Sequence, residues 1–120
     1  MKPHGLSFLG RSFQIWSFTV SHSQLLLRSV KTAEFPSRID ILFKDVDRIN
    51  LPVSLRGLTV REVSGNAESI GITPPLSEGS RLFEVESEQF VGYVAAGAML
   101  THEDQGDYCD PSGLLPAQNL

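Results

Sequence analysis

The chain has 120 residues and a net charge of −4 at neutral pH, with 41% hydrophobic and 20% charged residues. This length and composition are typical of one globular domain, and the chain is too rich in apolar residues to be disordered throughout. The acidic balance argues against a broad basic surface of the kind that tracks a phosphate backbone, so we expect no nucleic-acid partner.

Two β-type runs near the N-terminus predict a hairpin. Residues 1–11 show no periodicity and are predicted to form a flexible leader. Residues 13–20 and 24–31 alternate in side-chain character, and the polar break 21–23 suits a short loop. The alternation divides the first strand into two faces, with Trp16, Phe18 and Val20 on one and Phe13, Ile15, Ser17 and Thr19 on the other.

A third strand is predicted after the proline-terminated break 32–36. Apolar residues alternate through 38–44, and the phase then slips at 45–47 before it resumes. We interpret the slip as a bulge or sharp bend in one long strand, because Asp45 and Asp47 are poor residues to bury on the apolar face. A hairpin turn at this place is the competing interpretation.

The second half of the chain predicts another strand and a second hairpin. A turn is expected at 55–57 and a strand at 58–63, followed by the irregular connection 64–80. The runs 81–87 and 90–100 are predicted to pair across a turn near 87–89. Glycines in the last run disfavour a helix, so we expect a strand whose small residues let another backbone approach closely.

These elements predict a mostly β fold with little or no helix. About six strands with local connections indicate a single antiparallel meander, either an open curved sheet or a small barrel. We expect one β domain at 12–104 and a polar, disordered tail at 105–120. Because the chain has one cysteine, no signal-peptide pattern and no apolar run of membrane-spanning length, we expect a cytoplasmic protein with no membrane partner.

An acidic cluster at the end of the domain is the first candidate for chemistry. It contains His102, Glu103, Asp104, Asp107, Cys109 and Asp110. Such side chains can ligate a divalent cation, but their spacing matches no calcium loop and a lone cysteine builds no typical zinc site. We interpret the cluster as a solvated acidic terminus and predict no metal and no cofactor.

Catalytic alternatives rest on two histidines. His22 lies between two serines, and His102 lies in the acidic cluster, so either could act as a base in a small hydrolase. Nothing in the spacing shows a nucleophile oriented by a base and a third group, and a histidine between serines at a hairpin break is typical of turn chemistry. The pair Glu84 and Glu86 shares one strand face, which is equally typical of a solvated sheet.

Three aromatic side chains are the candidate binding residues: Trp16, Phe18 and Tyr93. Aromatic groups with polar tips are enriched at interfaces, and a homodimer would cover a second apolar face of the first strand. The leading hypothesis is therefore a module that acts by binding, either to itself or to another protein. The alternatives are a barrel with a small-molecule pocket between these three residues and the small hydrolase.

Overall fold

The computed structural model describes residues 5–63 and 76–114, and nearly all of their regular structure is β-strand. The strands are β1 (Gly5–Thr19), β2 (Gln24–Ser29), β3 (Arg38–Lys44), β4 (Arg48–Asn50), β5 (Ser54–Val63), β6 (Arg81–Glu86), β7 (Val91–Ala96) and β8 (Ala98–Asp104). One 3-10 turn, Val20–His22, joins β1 to β2. The mostly β prediction is confirmed, and within these two ranges no helix has the length and apolar character needed to cross a membrane.

All eight strands form one antiparallel sheet in the order β4-β7-β6-β5-β1-β2-β3-β8. Two meanders, β1-β2-β3 and β5-β6-β7, are joined where β1 pairs with β5. The sheet is open rather than closed into a barrel, yet its two ends meet because β3 leads into β4 and β7 leads into β8. At this junction the Gly97 N–H donates to the Lys44 carbonyl oxygen at 2.8 Å.

The predicted hairpin at 13–31 is confirmed, but its first strand contains a bulge. Ile15 pairs with Leu27 and Ser17 pairs with Leu26, so Trp16 is an extra residue without a partner in β2. Because the extra residue shifts the alternation, Phe18 lies on the face of Ile15. The prediction that Trp16 and Phe18 share one face of the strand is therefore wrong.

The bend predicted in the third run is present and no hairpin turn forms there, but the bend separates two strands, β3 and β4, rather than bending one long strand. β3 pairs with β8 and β4 pairs with β7, while Asp45 between them has a left-handed φ of 54°. The Val46 N–H donates to the Ser23 carbonyl oxygen at 2.9 Å, and the Ser23 hydroxyl donates to the Val46 carbonyl oxygen at 2.7 Å. The bend is thus held against the connection between β1 and β2.

The last apolar run is extended, and it admits a neighbouring backbone as predicted. A Cβ added at Gly92 would lie 2.0 Å from the Asn50 carbonyl oxygen of β4. Only glycine allows β4 to pair so closely at this position. The run is interrupted at Gly97, so it forms the two strands β7 and β8 rather than one.

Two segments that were predicted to be irregular belong to strands. β1 begins at Gly5, inside the predicted leader 1–11, and the predicted turn at 55–57 lies inside β5. Both differences have one cause, a bulge that places 9–11 of β1 opposite Gly57 of β5. Gly57 has a φ of 71°, which glycine adopts without strain, and the bulge interrupts the alternation that would mark a strand.

Three predicted segments fall wholly or partly outside the described residues. They are 1–4 of the leader, 64–75 of the long connection and 115–120 of the tail.

The interior face of the curved sheet carries the apolar core. Every strand except β4 and β8 contributes a fully buried side chain to it, in the following set: Phe13, Leu25, Leu27, Ile39, Ile41, Phe43, Leu55, Leu58, Val60, Phe83, Val85, Val94 and Ala96. A second cluster, formed by Leu82 and Ala95, packs against the half-buried Leu76 and Tyr93. The core is dominated by aliphatic residues that alternate along each strand, which is why the fold class was predictable.

Candidate functional site

The three aromatic residues that the sequence singled out occupy separate places. Trp16 lies at the β1 bulge, where the Arg28 guanidinium stacks 5.1 Å from its ring centroid. Phe18 follows in β1 and is 43% exposed. Tyr93 packs in the second cluster on β7. The cavities described below are lined by none of the three, so a pocket shared by them gains no support.

The histidines make no catalytic arrangement in the described part of the chain. His22 lies exposed in the 3-10 turn, and His102 lies exposed on β8 with its Nε2 3.5 Å from Asp104 Oδ2. Within 5–63 and 76–114, neither histidine is hydrogen-bonded to a serine or cysteine side chain. These ranges also contain no group of three or more His, Cys, Asp and Glu residues that could hold a metal ion.

Two adjoining cavities form a groove beside the connection between β6 and β7. The larger has a volume of about 710 Å³ and the smaller about 370 Å³. Ser87 and Glu88 line both of them, so we treat the two as one groove. Its remaining lining comes from β1, β2, β5, β6 and the connections beside them: Leu9, Gly10, Ser12, Phe13, Gln14, Arg28, Val30, Pro52, Ser54, Leu55, Arg56, Gly57, Leu58, Thr59, Glu86, Gln89 and Phe90.

Local backbone irregularities shape this groove. The bulge between β1 and β5 leaves Leu9 75% exposed beside Gly57. On the other wall, the Glu88 N–H donates to the Arg56 carbonyl oxygen at 2.9 Å, which holds the β6–β7 turn against β5. Phe90 packs against the core and supplies an apolar surface to the larger cavity. Strand bulges and turn residues, rather than the regular ladder, therefore build the groove.

The charges that line the groove are balanced. Arg56 and Glu88 approach each other with their Nε and Oε2 atoms 3.8 Å apart, and both side chains are exposed. Arg28 is neutralised by Asp40, which accepts from its Nε at 2.7 Å and its Nη2 at 3.1 Å. The remaining polar side chains in the larger cavity are neutral hydroxyls and amides, from Ser12, Gln14, Ser54, Ser87 and Gln89. Glu86 in the smaller cavity is a further charged lining residue, so the groove offers hydrogen bonds with little net charge.

Arg28 connects the groove to a segment that crosses the outer face of the sheet. The segment is residues 105–112, which we call the strap. Arg28 is 2% exposed, and its Nη1 donates to the Tyr108 carbonyl oxygen at 2.6 Å. The Tyr108 ring meets the Trp16 ring edge-on, with centroids 6.4 Å apart. One buried arginine therefore lies against the groove, the bulged tryptophan and the strap.

A second buried arginine, Arg38 of β3, holds the strap. Its Nε and Nη2 donate to the two carboxylate oxygens of Asp104 at 2.9 and 2.8 Å. Its Nη1 donates to the carbonyl oxygens of Asp107 and Asp110 at 2.8 and 2.7 Å, and its Nη2 donates to that of Pro111 at 3.1 Å. All five N–H groups of this guanidinium thus have a partner.

Hydrogen bonding between Arg38 and Asp104 shifts both pKa values. The bonds from Arg38 lower the pKa of Asp104, and burial offsets part of this effect. The same bonds raise the pKa of Arg38. Both shifts favour the ionised pair, so the anchor of the strap stays charged at neutral pH.

Part of the segment predicted as a tail makes contacts with the sheet. The side chains of 107–111 are exposed, as expected from their polarity, but the main chain of 105–112 lies against β2 and β3. Ser112 is buried. The physical reason is that backbone carbonyls, which composition does not reveal, accept the hydrogen bonds from Arg28 and Arg38. The sequence does contain a signal for these contacts: Arg28 in β2, and Arg38 and Asp40 in β3, are charged residues in strands that are otherwise largely apolar.

Comparison of the chain with protein-family models, curated proteins and solved structures found no match. Interpretation of the groove and the strap therefore rests on their own geometry and chemistry.

Proposed function

We propose that this protein is a binding module whose groove holds an extended polypeptide segment of a partner protein. The observation that carries the proposal is the groove itself, formed by two cavities that share Ser87 and Glu88. Two cavities that adjoin through shared residues suit an extended chain better than a compact small molecule. The combined volume of the two cavities also exceeds the range that small-molecule sites occupy, about 300–1,000 Å³.

The chemistry of the lining supports a polypeptide occupant. Main-chain amides and carbonyls need neutral donors and acceptors, and five hydroxyl and amide side chains line the larger cavity. Leu9 in the smaller cavity and Phe90 in the larger one add apolar contacts for alternate side chains of an extended peptide. The balanced pairs Arg28–Asp40 and Arg56–Glu88 disfavour a strongly charged ligand.

Self-association is a second candidate, favoured by β8. Among the described residues, this strand of seven residues pairs on one side only, with β3. It lacks proline and lysine, two residues that commonly protect sheet edges. A second copy could pair with this edge and extend the sheet. Native mass spectrometry tests it, since a monomer at micromolar concentration would exclude a stable homodimer.

A cytoplasmic location is part of the proposal. Cys109 is exposed and forms no disulfide, as suits a reducing compartment. Expression with an N-terminal or a C-terminal fluorescent tag would test this placement directly.

The proposed function is tested by selecting dodecapeptides from a displayed random library and mapping the best binder by NMR on labelled protein. We expect amide shifts at Ser12, Ser54 and Ser87. Ser54→Tyr should fill the groove and weaken binding at least tenfold, whereas Thr101→Tyr, an exposed change on β8, should leave it unchanged. Failure to select a binder, or equal binding by both variants, would contradict the proposal.

A further inference from the structure

The groove and the strap share Arg28, and this sharing has a regulatory consequence. We infer that the strap controls the groove: when it is closed it fixes Arg28 in the groove wall, and when it is released the groove loses affinity for its ligand. The inference rests on the proposed function for its biological meaning. The coupling between strap and groove, however, is measurable in the free protein.

The strap is attached by polar contacts to its main chain. Arg38 binds three of its carbonyl oxygens, and Lys31 donates to the Gln105 carbonyl oxygen at 2.9 Å. The side chains of Asp107 and Tyr108 are largely exposed. Segments with few buried apolar groups open at a low free-energy cost compared with core strands. The strap therefore has the composition of a releasable segment on a rigid sheet.

Arg28 transmits the state of the strap to the groove. In the closed state Asp40, the Tyr108 carbonyl oxygen and the Trp16 ring hold its guanidinium from three directions. Release of the strap removes the carbonyl and also the Tyr108 ring that packs against Trp16. Nη1 then needs a water molecule as its hydrogen-bond acceptor, and the guanidinium gains conformational freedom in the groove wall. A wall that must be ordered again binds more weakly than a preorganised one.

Linkage makes the effect reciprocal. If closure of the strap favours binding, a peptide in the groove must favour closure of the strap by the same factor. We expect a coupling of about tenfold, which lies within the usual range for linked sites.

Gly106→Ala provides a release variant that leaves both arginines in place. A Cβ at this position would lie 2.7 Å from Arg38 Cζ and Nη2, so either the strap or the Arg38 guanidinium must shift, and either movement disturbs the hydrogen bonds between them. Cys109→Ala is the matched control, because this exposed change in the strap keeps every backbone carbonyl. Arg38→Gln is a second release variant, which removes the anchor itself.

The first measurement is made without a ligand. Hydrogen exchange should accelerate at least tenfold in 106–112 of Gly106→Ala, with a shifted NMR signal of the Arg28 Nε–H and shifted amides of Gln14 and Ser54. The fluorescence of Trp16, the sole tryptophan, should change as well. If the strap opens and these groove signals stay in place, or if neither release variant accelerates exchange in the strap, the inference is overturned.

The second measurement separates the inference from the proposed function. A peptide selected on the wild-type protein should bind Gly106→Ala about tenfold more weakly and should slow exchange of the wild-type strap. Equal affinity for both proteins would overturn the inference and leave the proposed function standing. If no peptide is selected while the groove signals respond to strap release, the proposed function fails and the coupling survives.

Discussion

The two faces of β3 are buried equally well by different means. On the interior face, Ile39, Ile41 and Phe43 pack into the apolar core. On the outer face, Arg38 and Asp40 are buried to a similar degree, with exposures of 2% and 1%. The interior is covered by the other strands of the sheet, whereas the outer face is covered in part by the strap, which Arg38 binds. Alternation along a strand therefore identifies its two faces, but it does not show which face is exposed to solvent.

The difference matters for stability because the two faces respond differently to mutation. An interior side chain contributes through the apolar surface that it removes from water, about 1.5–3 kcal/mol for a large aliphatic or aromatic group. A buried ion pair adds little net stability relative to apolar residues of similar shape, but breaking it leaves an unpaired charge. The outer face should thus be sensitive to single changes and tolerant of paired ones.

The largest expected effect comes from Asp40→Ala on the outer face. It leaves the Arg28 guanidinium buried without its carboxylate, and we expect a loss of about 3–5 kcal/mol in the free energy of unfolding. The double variant Arg28→Met, Asp40→Leu should recover most of that loss. Urea denaturation measures both. A double variant as unstable as Asp40→Ala would show that the pair contributes through its charges. This result would contradict the expected difference between the two faces of β3.

Leu27→Ala supplies the matched interior change. Leu27 is fully buried in the core, and its truncation should cost about 2–5 kcal/mol through lost burial and the remaining cavity. Unlike the loss in Asp40→Ala, this loss should not be recovered by replacing one neighbouring side chain. Denaturation in urea with an unchanged m-value is the expected result, and a loss below about 1 kcal/mol would indicate that the interior repacks freely.

A smaller effect is expected from pH at Asp104. Its pKa in the folded protein is lowered from the ordinary value of 3.8, chiefly by hydrogen bonds from Arg38. A lowered pKa means that the stabilisation is fully present above the unfolded value and is lost as the pH falls through the folded value. Exchange in the strap should therefore stay slow above about pH 5 and accelerate only below about pH 3.8.

Asp104→Asn checks the origin of that pH dependence. In this variant the strap should exchange fast at every pH. Its exchange rate should therefore show no transition at acid pH. An acid transition of the strap that persists in Asp104→Asn would have another cause.

The smallest effect is expected at an ion pair whose two side chains are partly exposed. Arg61 and Glu84 pair across β5 and β6 with Nη2 and Oε1 2.5 Å apart, but both side chains are partly in water. Glu84→Gln should change the free energy of unfolding by less than about 1 kcal/mol. Thermal denaturation at low and high salt measures it. A loss as large as that of Asp40→Ala would mean that burial does not distinguish the two pairs.

The sequence allowed prediction of the fold class, the first hairpin, the bend at 45–47 and the close approach at Gly92. Each of these depends on local alternation or on residue size, which are visible along the chain. The groove was not predictable, because its walls meet through a bulge between β1 and β5 that hides the alternation around Gly57. Nor was the strap, whose contacts with Arg38 are made by backbone carbonyls that every residue possesses.

The junction of the two sheet ends bears on the order in which this protein folds. The β1–β2 and β6–β7 pairs connect segments that are close in sequence, so they can form early. β3 with β8 and β4 with β7 instead join 38–50 to 91–104, across long stretches of chain. Closing such loops costs entropy before any contact compensates it, and sheets with distant pairings fold slowly. We expect the hairpins to become protected from hydrogen exchange first and the junction around Gly97 last.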